Sequence, residues 1–209
     1  MTNLEVKNIV GKTPHMTLKQ ADTITEMIEK YNISNILELG FAHGVSTSYM
    51  AATLGRNGGG TITTIDKEHS AQREPRIDSL LESIGELDRV NIFYEPTSYT
   101  WRLMKFLEED PNPRFDFCYL DGAHSWHVDG FAFFLVDRLL KSGGWIVFDD
   151  MNWTYAASPT NKNLDFVKAM PEEEKTTPHI SKVFEILVKQ HPSYHNFKIK
   201  NGWGYAQKK

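Results

Sequence analysis

Polar residues recur along the chain at regular intervals, each directly after a short apolar run. Asn35 to Leu39 (NILEL) leads into Gly40, Thr61 to Ile65 (TITTI) into Asp66, and Val90 to Tyr94 (VNIFY) towards Thr97-Ser98. Phe115 to Leu120 (FDFCYL) runs into Asp121, and Trp145 to Phe148 (WIVF) into Asp149-Asp150. Carboxylates gathered at one point repel one another and raise each other's pKa, a conflict that a divalent cation removes. Mg²⁺ wants six oxygens and keeps several waters, so three monodentate carboxylates leave room for water and two substrate oxygens. Such an ion lowers the pKa of a bound hydroxyl and fixes its direction. His124 follows Asp121 in the turn before a helix, and a histidine there can take a proton near neutral pH. The plainer readings are that Asp149-Asp150 cap the next segment and that His124 caps a helix.

The first turn reads Glu38-Leu39-Gly40-Phe41-Ala42-His43-Gly44-Val45-Ser46. Gly40 permits a tight turn, and Gly44 permits close approach of a ligand at the next helix N-terminus. Asp66 is placed to accept hydrogen bonds from two ribose hydroxyls. The dinucleotide fingerprint G-x-G-x-x-G is absent, because position 42 is alanine.

These residues need a scaffold that brings strand ends together. Thr17 and Gln20 have capping-box spacing, and Leu18, Ala21, Ile24, Ile28 and Tyr31 recur at helical intervals. Helices are expected from Val45 to Leu54, from Pro75 to about Ile84, from Ser98 to Glu109, and from Val128 to Leu139, closed by Ser142-Gly143-Gly144. Strands alternating with helices imply an α/β protein with a parallel sheet covered on both faces. Ligands of such sheets bind beyond the carboxyl ends of the strands, where the polar residues lie. Residues 151–177 read as a long surface excursion of the kind that forms lids, and are expected to select the substrate, with Trp153 and Tyr155 as candidates to close over it. An amphipathic helix around Ile180 to Val188 and a hairpin over Asn196–Lys200 and Trp203–Gln207 follow.

The chain has 209 residues and a net charge of −4, without the basic footprint of a nucleic-acid binder. No apolar run is long enough for a membrane helix, and residues 1–15 lack a signal-peptide core. The lone Cys118 lies in an apolar run, which fits a reducing compartment and a cytoplasmic location. One domain is expected over residues 1–209, with a helical segment at 1–34, a cofactor-binding core at 35–150, and a loop, helix and hairpin at 151–209.

The run E-x-G-x-x-x-G-x-S with an acid closing the second strand resembles the class I S-adenosylmethionine-dependent methyltransferases. The segments Asp121-Gly122-Ala123-His124-Ser125 and Gly143-Gly144-Trp145-Ile146-Val147-Phe148-Asp149-Asp150 are similar to those of metal-dependent small-molecule O-methyltransferases, the macrolide-sugar and catechol types. His124 and Asp150 replace the catechol type's lysine and asparagine and favour the sugar type. The resemblance implies a Rossmann-like, doubly wound seven-stranded sheet in the order 3-2-1-4-5-7-6, its last strand antiparallel. It implies that Glu38, Gly40, Phe41 and Gly44 line S-adenosylmethionine, that Ser46 meets its methionine carboxylate, and that Asp66 holds the ribose with Lys67 beside it. Ser98 would approach the adenine. Asp121, also beside the cofactor, would bind Mg²⁺ with Asp149 and Asp150, and His124 would be the general base. The partner would be a small hydroxylated acceptor, with neither nucleic acid nor membrane involved; assembly into a homo-oligomer stays open. Two alternatives remain at this stage: a NAD-dependent oxidoreductase using the same turn, and a non-catalytic cofactor-binding protein of the same fold.

Overall fold

A computed structural model describes residues 1–209. Seven strands form one sheet: β1 (Asn35–Leu39), β2 (Thr61–Lys67), β3 (Val90–Glu95), β4 (Phe115–Leu120), β5 (Leu140–Phe148), β6 (Tyr194–Lys200) and β7 (Trp203–Lys208). Their order is β3-β2-β1-β4-β5-β7-β6. The first five are mutually parallel, and β7 runs antiparallel to both β5 and β6. This is the expected Rossmann-like sheet. The chain reverses direction of progress between β1 and β4, so a crevice opens at their carboxyl ends.

The helices are α1 (Asn3–Val10), α2 (Leu18–Lys30), α3 (Val45–Arg56), α4 (Ile77–Ser83), α5 (Tyr99–Glu109), α6 (Trp126–Leu139), α7 (Asp165–Ala169), α8 (Glu172–Thr176) and α9 (His179–Lys182). The last continues as a wider π turn through Val188. Two apolar clusters flank the sheet. One packs α1 to α4 against it through residues such as Ile24, Tyr49, Ile77 and Tyr119. The other packs α5, α6 and the α9 segment through Leu103, Phe133, Ile146 and Phe184. The central strands are buried on both faces, which is why they read as continuous apolar runs rather than alternating ones. None of the helices is long and apolar enough to cross a membrane.

Local boundaries differ from expectation at two places. Pro75 precedes α4, which starts at Ile77 after the N-cap Arg76. Ser142-Gly143-Gly144 does not close α6; it lies inside β5, which begins directly at Leu140. The pairing of β5 with β4 is irregular there, so the glycines mark a distorted strand start rather than a loop. Helix α1 falls within the helical segment expected at 1–34, and Thr2 and Glu5 form its full capping box.

Candidate active site

The turn after β1 is built around two glycines. Gly40 has φ +90°, and a Cβ on it would lie 2.0 Å from the Asp121 carbonyl oxygen. Gly44 has φ +87°, and its Cβ would meet Ile77 at 2.4 Å. Only glycine permits both the conformation and the approach. Asp66 closes this turn from the side: its Oδ2 accepts from the backbone N–H of Phe41 at 3.1 Å and of Ala42 at 2.8 Å. Its Oδ1 accepts from the Lys67 N–H at 2.7 Å. Phe41 is buried edge-on against Tyr94, and Lys67 is exposed.

Glu38 sits wholly buried beneath the turn. Its carboxyl accepts from Ser46 Oγ at 2.5 Å, Thr47 Oγ1 at 2.5 Å and Thr64 Oγ1 at 2.6 Å. Burial pushes its pKa up to about 7, against the pull of those three hydroxyls. Ser46 is thus committed to Glu38. Ser98 caps α5, its Oγ accepting from the Thr100 N–H at 3.2 Å.

Across the crevice, Asp121, His124 and Asp150 converge. Their ligating atoms all lie within 4.8 Å of one another. His124 Nε2 is 3.1 Å from Asp150 Oδ2 and 3.4 Å from Asp121 Oδ1. It is buried and aligned for a hydrogen bond with neither. Burial lowers the imidazole pKa, but the two carboxylates prevail and push it up to about 10. Trp153 stacks on the His124 ring at 4.9 Å. Tyr155, buried, meets Trp153 edge-on.

The structure does not bring Asp149 into this group. Its Oδ2 accepts from the Tyr119 hydroxyl, and its Oδ1 from Trp203 Nε1 at 2.5 Å and from the Asp150 N–H at 2.6 Å. Burial, with the nearby charge of Asp121, raises its pKa to about 7. Tyr119 and Trp203 were missed as site residues by sequence reasoning, whereas Trp153, a candidate to close over the substrate, lies against His124. Tyr119 sits in the same run as Asp121, but Trp203 lies in a hairpin that only the closed sheet brings beside Asp149.

An orphaned, buried imidazole nitrogen between two carboxylates fits a divalent cation: two hard oxygens and one nitrogen donor face a common point. A cavity of about 670 Å³ opens beside them. Asp121, His124, Asp149 and Asp150 line it together with Lys7, His15 and Met16 of the N-terminal segment. Apart from Trp153 backing His124, residues 152–177 are not on its walls. Pro171, Glu173, Glu174 and Thr177 instead line a separate cavity of about 430 Å³ beside Trp126. The 151–177 excursion meets the cluster through Trp153, with Tyr155 behind it.

Sheet order, glycine turn, acid after β2 and acids after β4 and β5 define a class I S-adenosylmethionine-dependent methyltransferase fold. The sequence matches the methyltransferase domain family over residues 37–151, more than half the chain, and the protein belongs to that family. No curated protein matches the sequence. Solved structures do. A caffeoyl-CoA O-methyltransferase candidate from Staphylococcus aureus superposes with a TM-score of 0.69 at 21% identity, covering 100% of this chain and 93% of that one. An O-methyltransferase from Bacillus cereus, crystallised with SAH, gives 0.66 at 18% identity, covering 99% and 90%. TomG from Streptomyces achromogenes, an O-methyltransferase of tomaymycin synthesis crystallised with SAM, gives 0.67 at 16% identity, covering 99% and 88%. At these identities the likeness is one of fold. Nothing in the site favours the nicotinamide alternative.

Proposed function

We propose that this protein transfers a methyl group from S-adenosylmethionine to a hydroxyl oxygen of a small polar acceptor, of sugar or natural-product type, with a divalent cation such as Mg²⁺. The observation that carries this reading is the Asp121–His124–Asp150 cluster, which faces a cavity and whose Asp121 backbone packs against Gly40 of the glycine turn. The solved relatives of this fold that hold SAM or SAH support the donor.

In this reading Gly40, Phe41 and Gly44 line the donor, and Asp66 turns from the Phe41 and Ala42 amides to the ribose hydroxyls, with Lys67 and Ser98 at the rim. Asp121 and Asp150 hold the cation. Asp149, oriented by Tyr119 and Trp203 and lining the same cavity, would join them as a third carboxylate. When bound, the cation acidifies the acceptor hydroxyl and fixes its direction. With a cation on Asp121 and Asp150 their charge would no longer hold the imidazole protonated, and His124 would take the hydroxyl proton. When bound, the donor would supply the methyl carbon to the acceptor oxygen, with its sulfur leaving as a neutral thioether as the carbon–sulfur bond breaks. Alignment of oxygen, carbon and sulfur is the protein's main task, and such alignment is worth roughly 7–11 kcal/mol at best. A single domain spanning 1–209 and a cytoplasmic location complete the reading, the latter resting on the lone buried Cys118.

Calorimetry with S-adenosylmethionine and with NAD, followed by turnover on hydroxylated compounds with Mg²⁺ or EDTA, tests it. Binding of the sulfonium donor and metal-dependent methyl transfer are expected. Binding of NAD without S-adenosylmethionine would overturn the reading.

A further inference from the structure

His124 is held with φ +53°, in the left-handed region that L-residues keep only where their surroundings enforce it. Three backbone N–H groups around it are captured by side chains from three helices. The Ala123 N–H donates to the Tyr99 hydroxyl of α5 at 3.2 Å. The Ser125 N–H donates to Asp129 Oδ2 of α6 at 2.7 Å. The Trp126 N–H donates to His179 Nδ1 of α9 at 3.1 Å. The Tyr99 hydroxyl in turn donates to Asp129 Oδ1, which closes the network. Gly122, one step earlier, leaves room for the Tyr99 ring, which a Cβ there would meet at 2.5 Å.

Asp129 is fully buried, and Tyr99 nearly so. Burying a carboxylate is costly unless it is fully hydrogen-bonded. The N-cap Ser125 does not cap α6 through its own Oγ, which is without a partner; Asp129 instead holds the Ser125 backbone N–H from within the helix. All of the bonds that Asp129 accepts serve the turn carrying His124.

We propose that Asp129, together with Tyr99, is a positioning residue: it fixes the strained His124 turn so that Nε2 points between Asp121 and Asp150. The catalytic consequence rests on the O-methyl transfer reading; the positioning itself does not. Neither residue touches the reacting atoms.

The test uses the full chain with Asp129→Asn and, separately, Tyr99→Phe, which keeps the ring against Gly122 and removes only the hydroxyl. Both should retain the wild-type near-ultraviolet circular dichroism and bind S-adenosylmethionine within about twofold of wild type. The His124 imidazole resonances, assigned by the loss of signal in His124→Gln and read by long-range ¹H–¹⁵N NMR, should move towards those of an exposed histidine or broaden. In turnover, kcat should fall at least about tenfold with acceptor KM changed less than about threefold, as for a displaced catalytic group. Wild-type His124 resonances in both variants would overturn the proposal, whatever the activity. Should Asp129→Asn fail to fold, Tyr99→Phe alone decides by the same resonance. If the wild-type protein transfers no methyl group, the functional reading fails, and the NMR comparison still decides the positioning role.

Discussion

Glu38 shows how a single residue can serve the site without facing it. Its carboxyl ties Ser46 and Thr47 of α3 to Thr64 of β2 and so sets the shape of the glycine turn above it. A carboxyl whose folded pKa of about 7 exceeds its ordinary 4.5 binds its proton more tightly when folded. Its contribution to stability is therefore complete below pH 4.5 and fades as pH rises to about 7, by on the order of 3 kcal/mol. Urea unfolding across that range should show wild type losing stability relative to Glu38→Gln as pH rises; parallel curves would remove Glu38 from the account. Asp150 works differently, since it is half exposed and faces the cavity. Asp150→Ala should abolish measurable Mg²⁺ binding in calorimetry and lower kcat at least about a hundredfold, with the fold intact by circular dichroism. Retained Mg²⁺ affinity would show that the cation, if any, sits elsewhere.

Elements were legible in the sequence wherever one local signal sufficed. β1 and β4 fall on the predicted residues, because strands buried on both faces stand out as apolar runs. Helix α2 begins where the Thr17–Gln20 box places it. The start of β5 was not legible: paired glycines ordinarily signal a turn, and only the pairings of Leu140 and Trp145 with β4 on either side keep Ser142-Gly143-Gly144 within the strand as an irregularity. The cavity wall was not legible either. Lys7 and His15 are far from Asp121 in sequence, and no periodicity reports that the α1–α2 connection crosses the carboxyl ends of the strands. His15, with φ +90° and its ring stacked on His43 at 5.8 Å, is the strained point of that connection. In the proposed reading, its place on the wall would make it a contact for the acceptor. His15→Ala should raise acceptor KM by about three- to tenfold and leave S-adenosylmethionine affinity unchanged. Phe166→Ala, on the exposed face of α7, should change neither. Equal effects from the two variants would return substrate selection to residues 151–177.

At the scale of the whole molecule, the alternation of strands and helices announced an α/β protein, but the strand order came from resemblance, since periodicity carries no information on which strands are neighbours. That order places β4 in the middle, between β1 and β5, with both apolar clusters closing over it. Cys118 lies on this strand with no exposed surface, and burial, reinforced by the charge of Glu38, drives its thiol pKa far above the ordinary value. Reaction with a thiol reagent needs a thiolate in contact with water, which here requires that the centre of the sheet open. The centre of a cooperatively folded sheet opens only by global unfolding, whereas edges and terminal segments open at lower free energy. The native protein should thus resist modification of Cys118, and labelling in increasing urea should rise with the same midpoint as the loss of far-ultraviolet circular dichroism. Donor binding raises the free energy of unfolding by mass action, so S-adenosylmethionine should shift both midpoints upward together. Labelling that precedes the circular-dichroism transition would mean that β1 and β4 part locally, and that the two halves of the site are not held by one cooperative sheet.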